Sequence, residues 1–328
     1  QADDRARKLD VLGAASERAQ GNASVAVALE LRGFARDELR LVVKDERVDM
    51  QLDRDKAEVA PPAKAGQGGD PVPLTLEAQA LLGKGRFEDT IRVAKLALQR
   101  DEKYVPAMIV LAKAYYQLRK LELTTSIVEI AQKIDEKNGD GYNLLGFVAL
   151  SRDDKISATA AFKRATEVDG DMAVAWNNLC AQYVVAKAYD PALSACTRAT
   201  QLAPQMAKAQ LNLGSALRGL RRYADAERAY RQALQLDPIY SDAYFNLGIL
   251  YLDAKDMTGV DTIGRLNIAI QNLNRYKELA GFKLGKDDPA DGYIKEARDA
   301  IEREQRRQRR SQPKAPAAPA APAGDAKP

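Results

Sequence analysis

From residue 176 to residue 238 one 34-residue pattern is written out twice. Trp176, Leu179, Cys180, Tyr183, Ala192, Cys196, Ala199 and Pro204 form the first copy. Exactly in phase, 34 residues on, stand Gln210, Leu213, Gly214, Leu217, Ala226, Tyr230, Ala233 and Pro238. A fixed period constrains a chain more than local propensity does, because each copy is a unit that buries its second face only against a neighbour. The first four positions of a copy fall on one stripe of a helix, and the Ala, bulky, Ala series makes a second stripe. Lys187-Ala188-Tyr189 and Arg221-Arg222-Tyr223 sit between them as turns. Pro204 and Pro238 stop the second helix. Trp176 is expected to be buried between the helices of its own unit and the next.

The register extends both ways. Below it lie Tyr142, Leu145, Gly146, Ala149, Ala158, Phe162 and Ala165, then Met108, Leu111, Ala112, Tyr115, Thr124, Val128 and Ala131. A degenerate first copy holds Leu74, Glu77, Ala78, Leu81, Thr90, Ala94 and Ala97, as terminal units do. Above it, Tyr244, Leu247, Gly248 and Tyr251 open a sixth unit. Its second helix, with Ala269, Leu273 and Tyr276, fits only if about nine residues are inserted around 256–264. This spacing of aromatic, Leu-small, Ala, bulky, Ala and Pro resembles the tetratricopeptide repeat. The resemblance covers most of the chain and implies an all-α solenoid of helix hairpins.

Composition removes whole classes of chemistry. There is no histidine among 328 residues, which excludes Ser-His-Asp and Cys-His catalysis and the H-E-x-x-H zinc helix. Two cysteines cannot build a structural zinc site. The expectation is therefore no enzyme, no metal and no cofactor. Fifty basic against 46 acidic residues leave a net charge of +4, so nucleic acid is not an expected partner. No run is long and apolar enough to span a membrane. Gly83-Lys84-Gly85 lacks the spacing of a phosphate loop and falls where the first unit turns. In an ideal antiparallel hairpin Cys180 faces Ala192 and Cys196 faces Trp176, so buried free thiols are expected rather than a disulfide. The chain opens on Gln1 rather than methionine, which makes a removed export signal an expectation that the upstream coding sequence tests.

The domain order follows from period and composition. Residues 1–57 read as a short helix (3–18) and a small β meander. Its strands are read from the alternation of Val25, Val27, Leu29 and Leu31, then Leu39, Leu41 and Val43, then Val48, Met50 and Leu52. A charged helix over 36–54 is the competing reading. Residues 58–73 are a Pro/Gly linker, 74–281 the six units, and 288–311 a capping helix with Tyr293, Ala297, Ala300 and Ile301 inward. Residues 312–328, Ala- and Pro-rich, are expected to be a disordered tail.

The family resemblance also implies a site. In tetratricopeptide repeats the first helices line a concave groove, and the residue two after the aromatic position points into it. Here that position holds Asn178, Asn212 and Asn246, similar to an asparagine ladder that grips an extended peptide. An amide side chain carries both a donor and an acceptor and so pairs with any peptide unit. Asn143 and Asn177 extend the ladder, while Phe147, Phe245, Tyr116 and Ile249 supply apolar pockets. The ladder amides are expected to be partly exposed and free. The lysine clamp of chaperone-binding repeats is not reproduced by Lys113 and Lys208 alone. Arg303, Arg306, Arg307, Arg309 and Arg310, diluted by Glu302 and Glu304, read either as a solvated helix end or as a contact for an anionic surface. Together these readings make the chain a scaffold or adaptor of a multiprotein assembly. The layout resembles periplasmic repeat subunits of envelope-spanning motility, pilus or secretion machines. A cytoplasmic adaptor and a recruitment subunit of an enzyme are the alternatives.

Overall fold

The computed structural model describes residues 69–255, 259–281, 284–285 and 287–311, and the backbone of 39–44 and 47–52. In the N-terminal region Leu39–Lys44 (β1) and Arg47–Leu52 (β2) pair antiparallel, Leu39 opposite Leu52 and Lys44 opposite Arg47. Of the three runs read as a meander, these two fall within the described residues. The run 25–31, the helix expected over 3–18, residues 58–68 of the expected linker 58–73 and the tail 312–328 lie outside the described residues.

Among the described residues from 72 onward, everything regular is helical. The helices are α1 (Val72–Gly83), α2 (Phe87–Arg100), α3 (Val105–Gln117), α4 (Leu121–Ile134), α5 (Gly139–Ser151) and α6 (Lys155–Val168). They continue as α7 (Ala173–Val185), α8 (Tyr189–Leu202), α9 (Ala207–Gly219), α10 (Tyr223–Leu236), α11 (Ser241–Asp253), α12 (Thr262–Ala280) and α13 (Ala290–Ser311). The chain forms two compact units, Gln1–Gln182 and Tyr183–Pro328. In the first, α1 pairs with α2, α3 with α4 and α5 with α6. In the second, α9 pairs with α10 and α11 with α12, and α13 packs on α12. Val93, Leu98, Met108, Leu111, Ile127 and Val128 fill the core of the first unit. Leu211, Leu217, Tyr230, Leu247, Leu250 and Tyr251 fill that of the second.

Two turn devices repeat with the helices. The turn inside each of the first five hairpins passes through a left-handed residue: Gly85, Arg119 (φ 61°), Asp153 (φ 57°), Lys187 (φ 58°) and Arg221 (φ 60°), each 34 residues from the last. The next-following amide then reaches back five residues, as in Arg222 N–H to the Leu217 carbonyl at 2.9 Å. Only the first copy uses glycine. A left-handed non-glycine residue costs about 1–2 kcal/mol, and glycine returns part of that as backbone entropy. Arg221→Gly is therefore expected to raise stability by about 0.5–1 kcal/mol, read from denaturant midpoints. Between hairpins, Asp101, Asp135, Asp169 and Asp237 each accept the backbone N–H two residues on. At the fifth such position stands Ala203.

The small–large register positions pack directly. A Cβ added to Gly146 would lie 2.4 Å from the Phe162 ring, one on Gly214 would lie 2.5 Å from Tyr230, and one on Gly248 would lie 2.6 Å from Leu273. Those partners are the bulky second-helix residues. The Gly248–Leu273 contact shows that the sixth hairpin keeps register across its insertion.

Two expectations are corrected here. Neither cysteine is a free thiol: Cys180 and Cys196 are each disulfide-bonded. They occupy the register positions at which Gly146 faces Phe162 and Gly214 faces Tyr230. The ideal-hairpin estimate, which opposed Cys180 to Ala192, therefore failed. Trp176 is half-buried rather than enclosed. Its indole N–H donates to the Gly170 carbonyl at 2.9 Å, so the ring lies over the preceding turn. Tyr244 repeats this, its hydroxyl donating to the Pro238 carbonyl at 3.3 Å.

Candidate functional site

The expected ladder residues are placed by first helices: Asn143 on α5, Asn177 and Asn178 on α7, Asn212 on α9 and Asn246 on α11. They do not share one environment. Asn178 is only 6% exposed, and its amide donates to Asn143 Oδ1 at 2.9 Å; Asn143 is 7% exposed. Asn177 is buried as well. The expectation of exposed, free amides therefore fails for Asn178. A buried amide must find a partner, and one turn of register brings Asn143 to it. Asn212 and Asn246 are half-buried. The Asn246 amide donates to the Asp242 carbonyl of its own helix at 2.8 Å, leaving its side-chain oxygen outside that bond.

The apolar pockets divide in the same way. Phe147 lies 6.2 Å from Tyr116 and meets Phe162 edge-on at 5.3 Å. Phe245 is packed by Tyr276 at 5.0 Å and Tyr293 at 6.3 Å, and Ile249 joins the same cluster. The capping helix α13 thus covers the place expected to be an open pocket at Phe245 and Ile249. A solenoid end must be closed, and aromatic residues on the last first helix are what closes it.

Polar links between successive first helices went unnoticed in the sequence. Lys113 pairs with Asp140 at 2.7 Å, Tyr116 and Ser151 share a hydrogen bond at 3.3 Å, and Arg218 pairs with Asp253 at 2.6 Å. Tyr116–Ser151, Asn143–Asn178 and Arg218–Asp253 are each separated by 35 residues. That is one more than the period, and searching for it would have found them. Burial draws the Arg218 guanidinium down, but Tyr230 and Asp253 outweigh it and hold it above its ordinary value.

Farther along, buried Arg265 donates to the Tyr251 and Leu252 carbonyls. It places a cation at the C-terminal end of α11, where the helix dipole favours one. Burial raises the Tyr251 phenol, and its 2.5 Å bond to Glu227 adds to that. Tyr276 is pushed up from 10.0 to about 12, chiefly because its hydroxyl donates to Asp288, with burial second. A raised folded pKa means the neutral phenol is favoured in the fold. Its contribution is intact below 10.0 and is lost as pH rises toward about 12. Phenolate absorbance compared between the parent and Tyr276→Phe should show one tyrosine titrating near pH 12.

At the C-terminus the arginine run lies on exposed turns of α13, with Arg306 near Glu302 at 3.4 Å and Arg307 near Glu304 at 3.3 Å. Among the described residues no cluster of three or more Cys, Asp or Glu could hold a metal ion, and no helix is long and apolar enough to cross a membrane.

A family model described as tetratricopeptide repeat matches residues 211–259. None of the curated proteins matches the sequence. Among solved structures, a chain of the APC/C hetero-tetramer Cut9–Hcn1 superposes with TM-score 0.58 and 17% identity, over 70% of this chain and 42% of that one. This chain therefore spans less than half of that relative. The pilF protein of Pseudomonas aeruginosa gives TM-score 0.56 and 15% identity, over 70% of this chain and 97% of its own. PilW, described as a widely conserved type IV pilus biogenesis factor, gives 0.54 and 15%, over 69% and 96%. At such identities the likeness is one of fold. Residues 211–259 match the tetratricopeptide-repeat model, and the hairpins on either side of them repeat the same helix-hairpin fold.

Proposed function

We propose that this chain is a non-enzymatic interaction scaffold that binds extended peptide segments along its first helices. In the second unit Asn212 and Asn246 make the amide contacts; in the first, Asn143, Asn177 and Asn178 are part of the packed wall and Phe147 offers an apolar step. The observation that carries this reading is the pair of in-phase, half-buried asparagines on α9 and α11. An amide side chain can both donate and accept, and the repeat sets the two 34 residues apart. Phe245 is covered by α13 and serves the proposal only as the end of the groove.

We further place the protein in a bacterial cell-envelope assembly such as pilus, motility or secretion machinery, in the periplasm. The fold shared with pilF and PilW supports this, and so do two cysteines in a disulfide, a bond that persists in oxidising compartments. A photoreactive amino acid at position 246 tests the surface. Crosslinking in the source cells should capture an envelope protein through an extended segment. Equal capture from position 156, where Ile156 is 85% exposed on another helix, would remove the assignment.

A further inference from the structure

A second groove lies in the Tyr183–Pro328 unit and shares no residue with the asparagine site. It is open, about 500 Å³ in volume, and runs between α8 and α10 over α9. Leu193, Leu213, Leu217 and Ala229 line it apolarly. Gln210 and Gln232 add two amides, and Arg222, Asp225 and Arg228 form its rim.

The repeat register explains why a groove opens here. At the position of Gln210 the first two hairpins carry Leu74 and Met108, and the other three Tyr142, Trp176 and Tyr244. At the position of Gln232 they carry Arg164, Arg198 and, after the insertion, Arg275. In one hairpin the two meet, the Arg164 guanidinium lying 5.6 Å from the centroid of the Tyr142 ring; in another, Glu278 first and Tyr244 second hold the Arg275 guanidinium above its ordinary value. An aromatic ring capped by a guanidinium covers the seam between hairpins. In the α9–α10 hairpin both members are glutamine. The turn before it is also the one with Ala203 in place of aspartate. The α9–α10 hairpin thus has no aromatic residue here, and Leu193, Leu213 and Ala229 line the open groove.

We propose that this groove is a docking site for an extended peptide that supplies the missing aromatic side chain, flanked by carboxylates. The ring would lie against Leu193, Leu213 and Ala229. The Gln210 and Gln232 amides match peptide groups in either polarity. The acidic preference follows from the rim. Arg222 donates to Asp225 at 2.8 and 2.6 Å, and Arg228 pairs with the same carboxylate. Two guanidiniums share one carboxylate, which leaves one positive charge in excess, and all three groups stand at the mouth.

The test uses the full chain and three fluorescein-labelled pentapeptides, Ala-Asp-Trp-Asp-Ala, Ala-Lys-Trp-Lys-Ala and Ala-Asp-Ala-Asp-Ala, read by anisotropy. The acidic tryptophan peptide is expected to bind about ten-fold tighter than either control, since both anchor and charge contribute. Restoring the pair with Gln210→Trp and Gln232→Arg should weaken it about ten-fold without lowering the unfolding midpoint. If that variant does not fold, Arg222→Gln with Arg228→Gln, both at exposed positions, should abolish the preference for the acidic over the basic peptide. Asn212→Ala with Asn246→Ala should leave this binding unchanged, which separates it from the first-helix site. Equal affinity for the three peptides, absence of saturable binding, or undiminished binding by both the filled and the rim variants would overturn the proposal.

Discussion

Truncating Phe162 to alanine is expected to lower stability by about 3–5 kcal/mol. The side chain is fully buried, lies so close to Gly146 that a Cβ there would come within 2.4 Å of its ring, and meets Phe147 edge-on at 5.3 Å. The space it leaves is walled by helix backbone, which cannot collapse far. Repeat stability is roughly a sum of local and nearest-neighbour terms, so the loss should concentrate in α5, α6 and the helices beside them. Hydrogen exchange reads this directly. Loss spread evenly over all described helices would contradict the packing described above. Trp176→Ala should cost less than Phe162→Ala, because Trp176 is half-buried and rests on a turn.

Removing one member of the Asn143–Asn178 pair is the second large effect. Each side chain is over nine-tenths buried, and the bond between them is 2.9 Å. Asn178→Ala strands the Asn143 oxygen without its donor, which costs about 1–3 kcal/mol. Asn143→Ala should act similarly from the other side. The double variant should cost less than the sum of the two, since neither leaves a buried polar partner behind. Strict additivity in a double-mutant cycle would mean that the two amides do not depend on each other.

The fold was legible because its signal is redundant. Small–large pairs such as Gly214–Tyr230 recur at one spacing, and steric fit allows them to mean little else. The state of Cys180 and Cys196 was misjudged because an ideal hairpin fixes opposition only to within a turn, and a turn decides whether a sulfur meets its partner. Trp176 was misplaced for a different reason: periodicity says which face a residue shares, not how far its ring reaches past the helix. The site was harder to read. Asn178 and Asn212 stand at the same repeat position, yet Asn143, one residue earlier in the preceding hairpin, consumes the first. Phe245 looked like Phe147 until the capping helix was in place. The groove at Gln210 is a departure from the pattern, and departures become visible only once neighbouring hairpins show what the pattern does.

The central claim is that peptide binds along the first helices through Asn212 and Asn246. Its most direct measurement is the affinity of the captured partner segment for the parent and for the Asn212→Ala, Asn246→Ala variant. Each lost amide contact removes about 0.5–1.5 kcal/mol, so the dissociation constant should rise by about one to two powers of ten. Helical signal and unfolding midpoint should hardly change, because neither side chain is part of the core. An unchanged dissociation constant in a folded double variant would contradict the account.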